Sequence, residues 1–221
     1  ASREQLQHTK SVVSPTSAKK ELMLLEAYVM GAWPSLVEIC RFLNALMPFY
    51  RSACKVIEES DTLPSEELLT FITQMVVVHF FLEHLTRPLE PNSLTMLQLK
   101  HPQFVEFGCL IFPRTKNFKA TGCNAIFVST KLREMLTHFV EFVRPHLPDS
   151  DDLDDLVFGA TCGTIFQKFF ARMGIQLTVS MLRIIAEGWN HTRSASDDDK
   201  RDFSIAMQHD PTNSSVITQH A

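Results

Sequence analysis

Apolar residues recur first at helical spacing, then in short runs, then at helical spacing again, which predicts helices on either side of a small sheet. Residues 1–20 carry no apolar period, with Lys10, Lys19 and Lys20 spread among Ser and Thr, and predict a loose arm or linker. Leu22, Leu25, Tyr28 and Val29 then fall at helical spacing. Pro34 suits the first turn of a second helix running towards Glu59, which Pro48 is expected to kink or break. Ser65, followed by Glu66 and Glu67, opens a third helix over 68–85 whose apolar residues almost encircle it, the pattern of a buried helix.

After Arg87-Pro88 the texture changes. Residues 94–99, 104–112 and 125–129 are short apolar runs broken by Pro and Gly and predict strands. The polar stretch 113–124, with Arg114, Lys116, Lys119 and Gly122, reads as a hairpin with a basic tip. Helical period returns over 130–145, with Ser129 or Thr130 available as N-cap, and again over 164–173 and 178–189. An acidic loop lies at 149–155, a polar link at 191–202 and a short amphipathic piece at 203–208. The expected fold is α+β and mostly helical, with helices around an antiparallel sheet of about three strands. The expected organisation is an arm at 1–20, N-terminal helices at 21–60 and a main domain at 61–221.

Composition removes several classes of function. The 221 residues are 45% hydrophobic and 21% charged, with a net charge of −4, so any hold on nucleic acid must come from a local patch. No 18-residue stretch is both apolar and uncharged, which argues against a membrane span, and no secretory signal opens the chain. The five cysteines form no CxxC pairing, so a reduced, intracellular protein is expected. Nine histidines invite a metal, yet no HExxH or Cys/His cluster occurs, and the Asp run lacks the glycine-turn spacing of a calcium loop. Neither a metal nor a cofactor is expected. GxxxxGK[ST], GxGxxG and GxSxG are all missing, so nucleotide-binding and hydrolase readings lack their signatures.

Cationic residues remain at the element boundaries. Thr86-Arg87-Pro88, followed by Asn92-Ser93-Leu94-Thr95-Met96, resembles the first arginine box of the tyrosine recombinases, the phage-integrase group, and in particular their eukaryotic transposon-derived, Crypton-type branch. Pro113-Arg114-Thr115-Lys116 is similar to the family's hairpin lysine motif, and Phe142-Val143-Arg144-Pro145 to its Ile-Arg-Pro. Leu156-Val157-Phe158 looks like the element before the second box, residues 178–183 like that box itself, and Ala206-Met207-Gln208-His209 like the late histidine motif. The resemblance runs over residues 60–221 and rests on the order and separation of these motifs. It implies that Arg87 and Arg183 grip the nonbridging oxygens of a DNA phosphodiester, that Lys116, with Lys119 as alternative, donates a proton to the leaving oxygen, and that His209 supports the phosphate.

Two departures qualify that chemistry. Ser180 stands where the family often has histidine, and Thr218 stands where the nucleophilic tyrosine is expected, while the only tyrosines, Tyr28 and Tyr50, lie far upstream. A threonine hydroxyl is a poorer leaving group than a phenol, so reversible strand cleavage is not expected. The leading expectation is a nuclear, recombinase-derived module, inactive in cleavage, that binds double-stranded DNA through Arg87, Arg114, Lys116, Lys119 and Arg183. A protein-interaction or assembly module, forming homo-oligomers or meeting chromatin proteins without DNA, is the first alternative. An active recombinase with its nucleophile outside these residues or supplied by another subunit is the second.

Overall fold

Helix α2 (Glu66–His84) is the axis of the fold, because ten of its residues are buried. The computed structural model describes residues 31, 33–60, 62–86, 88–112, 124–147, 156–158 and 161–200. Before α2 comes α1 (Leu36–Glu59), and after it follow the short helices α3 (Leu89–Asn92), α4 (Met96–Lys100) and α5 (Pro102–Phe107). Strands β1 (Cys109–Phe112) and β2 (Asn124–Phe127) precede α6 (Thr130–His138), α7 (Cys162–Arg172) and α8 (Val179–Thr192). The chain divides into two compact units, Ala1–Pro34 and Ser35–Ala221, so α1 belongs with the later helices. The expectations for the arm at 1–20 and for the helix over 22–29 lie outside the described residues, as do those for the 113–123 hairpin, the 149–155 loop and the tail from 201 onwards.

Caps set the helix starts. The side chains of Ser35, Ser65, Ser129 and Thr178 accept hydrogen bonds from backbone N–H groups in the first turns of α1, α2, α6 and α8, satisfying donors that would otherwise lack partners. Because Ser35 is the cap, Pro34 stands just before α1 rather than in its first turn. Pro48 does not break α1 as expected: the helix runs unbroken past it. Asn44 and Pro48 are both exposed, so the carbonyl that loses its partner faces water, where the loss is small.

The sheet among the described residues has two strands, not three. Residues 96–100 form α4 because Thr95 and Gln98 make a reciprocal capping box, with Gln98 Oε1 accepting from Thr95 N at 2.8 Å. Residues 102–107 form α5 because His101 caps it, Pro102 opens it and Gly108, at φ 66°, closes it in the left-handed region. Only Cys109–Phe112 is left to pair, antiparallel, with β2 through Cys109↔Phe127 and Ile111↔Ala125. The helix expected over 130–145 changes character at Phe139, passing into a π turn (Phe139–Val143) and a 3-10 turn that contains Pro145.

Aromatic rings join α1, α2 and α7. Phe81 meets Phe166 edge-on at 5.5 Å, Phe170 lies 4.9 Å from Phe166 and 5.2 Å from Phe169, and Phe42 on α1 sits 6.3 Å from Phe169 and 6.4 Å from Phe170. Helix α8 packs against both α1 and α7 and so closes the core. None of the described helices is long and apolar enough to cross a membrane.

Candidate functional site

Of the residues picked out by the resemblance, Arg183 is described, while Arg87, Arg114, Lys116, Lys119, His209 and Thr218 lie outside the described residues. Arg183 sits in the second turn of α8 and is 7% exposed, in a helix whose neighbouring Leu182, Ile185 and Ala186 are core residues. It is therefore not a solvated surface cation. Ser180, three positions earlier, is exposed on the first turn. Arg144, from the Val143-Arg144-Pro145 motif, is 2% exposed.

The backbone of residues 88–96 is sewn to the segments that lead into α7. Val157 N donates to Leu94 O at 2.8 Å, next to the isolated bridge between Thr95 and Leu156. Asn92 Oδ1 accepts from Cys162 N at 2.7 Å, and the Pro88 ring packs against Gly163, where an added Cβ would lie 3.5 Å from it. Because α7 packs on α8, one continuous set of contacts runs from the residues that follow position 87 to the helix that carries Arg183.

Three further polar residues belong to this region, and no sequence motif marks them. Glu90 on α3 is 1% exposed, and neither carboxylate oxygen has a hydrogen-bond partner among the described residues. A carboxylate so placed needs a nearby cation or a proton. Glu187 (7%) and Asn190 (0%) fall four and seven positions after Arg183, so all three lie on one face of α8. That spacing of polar residues within an apolar helix was the available signal. Asn190 holds the chain together locally, since its Oδ1 accepts from Arg193 Nε at 2.8 Å and its Nδ2 donates to Lys200 O at 2.9 Å, which fastens the turn after α8.

Tyr50 is the one tyrosine among the described residues, and it is 5% exposed on α1. Burial, with the Cys54 thiol beside it, pushes its phenol well above the ordinary value, so the nucleophilic phenolate is disfavoured. It lines a groove of about 420 Å³ between α1 and α6 that is crossed by a Glu58–His138 pair at 2.9 Å. Arg51, Lys55 and Lys131 share that groove with Glu58, Glu59 and Glu134, so it carries no net preference for an anion. The described residues hold no group of three His, Cys, Asp or Glu that could bind a metal, and Cys40, Cys54 and Cys109 are free thiols.

A second polar cluster fastens α6 to α2. Ser129 donates through N and Oγ to the two oxygens of Glu83, each at 2.5 Å. Burial pushes the Glu83 carboxyl up, but hydrogen bonds from His84 and Ser129 outweigh it and hold the group below the usual carboxylate range. His79 Nδ1 donates to Met75 O at 2.9 Å, leaving Nε2 to accept from Lys131 Nζ at 3.1 Å. Burial pulls the His79 pKa below its ordinary 6.5, so the folded state binds the proton less readily than the unfolded chain. This contribution to stability is complete above pH 6.5 and is lost as the pH falls below it towards the lowered folded value. Urea unfolding between pH 7 and pH 5 is expected to show that loss, and His79→Gln to flatten it; an identical slope in the variant would assign the effect elsewhere.

Compared with known proteins, the chain matches no family model, no curated protein and no solved structure.

Proposed function

We propose that this chain is a tyrosine-recombinase-like domain that grips the phosphates of duplex DNA and does not cut them. The observation that carries the reading is the burial of Arg183 on α8, at the position of the second arginine box. A guanidinium is costly to withdraw from water, and a fork of fixed donors facing a phosphate is one use that justifies the cost. The knitted backbone just after position 87 supports the same reading, since it joins that segment to the helices that pack on α8. Arg87, Arg114, Lys116 and Lys119 complete the phosphate-binding set in this proposal, and His209 supports the phosphate. With Thr218 in place of a tyrosine and the Tyr50 phenol buried, the proposal includes no nucleophile.

A nuclear location in the host cell follows from that role. A nicked suicide duplex, which traps any covalent intermediate by releasing the cleaved end, tests the silent chemistry. The expected result is no protein–DNA adduct on a denaturing gel; an adduct would make the domain an active strand transferase.

A further inference from the structure

We infer that two copies of this chain associate through the solvent-facing stripe of α1, antiparallel, about a twofold axis at the level of Tyr50 and Arg51. Ala45, Phe49, Ser52 and Val56 recur at spacings of four, three and four, the repeat of a helix–helix seam, and all four are exposed. Phe49 is 66% exposed and Val56 55%, large apolar side chains on the outward side of a helix whose opposite side already fills the core. Such a contiguous patch marks an interaction surface more often than isolated exposed residues do.

The stripe is complementary to itself in size and in charge. Turned antiparallel about that axis, Phe49 of one copy meets Ser52 of the other, and Val56 meets Ala45, so each large side chain faces a small one. Arg41 and Glu59 lie on the same flank of the stripe, near its two ends, and a twofold axis brings Arg41 of each copy to Glu59 of the other. Within one copy Glu59 meets the exposed Lys55, whose Nζ lies at 3.6 Å. A recess of about 200 Å³ lined by Val56, Ile57, Leu63, Pro64 and Leu68 opens at the C-terminal end of α1. The N-terminal end of the second α1 arrives there and carries Val37, which is 48% exposed. Glu38 shares the stripe's line but is engaged with Ser35, whose N donates to Glu38 Oε2 at 2.7 Å. The inference uses α1 and its neighbouring residues alone and stands without the phosphate-binding reading proposed above.

A single helix pair is at the small end of specific interfaces, so a reversible dimer in the micromolar range is expected. Sedimentation equilibrium of the full chain from about 1 to about 200 μM tests it. Wild type is expected to pass from monomer to dimer across that range and Phe49→Glu to stay monomeric, with circular dichroism reporting its fold. Arg41→Glu is expected to weaken the dimer about fivefold or more, and Arg41→Glu with Glu59→Arg to restore it, because the pair is then only reversed. Should Phe49→Glu fail to fold, the charge series decides alone. A monomeric wild type, a dimer indifferent to Phe49→Glu, or a double reversal no better than Arg41→Glu would each overturn the inference.

Discussion

Arg183→Lys is expected to weaken duplex DNA binding about tenfold and Arg183→Met about a hundredfold, each measured on the folded variant. Lysine keeps the charge but replaces a planar fork by a single point of contact, so it loses the second of two charge-assisted hydrogen bonds. Methionine keeps an apolar stem of similar length within α8, where Leu182 and Ala186 are fully buried, and loses both bonds. Fluorescence anisotropy on a short duplex reads the affinity, and circular dichroism with urea unfolding separates binding from stability. If both variants bind like wild type, Arg183 is a structural residue and the phosphate-gripping role is wrong. The order of the two variants is informative as well. A lysine variant as weak as the methionine one would mean that geometry, rather than charge, accounts for the interaction.

Phe170→Ala should cost about 3–5 kcal/mol, a large share of the stability of an ordinary domain. Phe170 is fully buried and touches the rings of Phe42, Phe166 and Phe169, so its removal leaves a cavity among α1 and α7 that rigid aromatic neighbours cannot readily fill. Phe170→Leu keeps most of the volume and should cost less than half as much. The midpoint of urea unfolding at constant slope measures both. Equal, small effects for the two variants would show that the aromatic cluster does not hold α7 against α1.

Helix positions were readable where short polar residues precede an apolar period, as at Ser65, Ser129 and Thr178, because a cap is a local interaction. The runs at 94–99 and 104–107 read as strands because a short apolar run has the same composition whether it forms one helical turn or a buried strand. The Thr95…Gln98 capping box and the His101-Pro102…Gly108 frame were the local signals that decide for helix. Pro48 failed as a breaker because its cost depends on whether Asn44 O meets water, which is a tertiary property. At the candidate site, motif order marked Arg183. Glu90 is buried in a segment whose next residues, Asn92 and Leu94, are bonded to the distant Cys162 and Val157, and no local pattern announces that burial.

If this acidic chain binds DNA as proposed, it does so through a few localised phosphate contacts, and such contacts release counterions in proportion to their number. Wild-type binding to a short duplex, measured across a range of salt concentrations, is the most direct test. The account predicts a linear fall of log K with log salt, of slope about −4 to −5 for the five proposed cations. No binding at low salt, or a slope near zero, would contradict it.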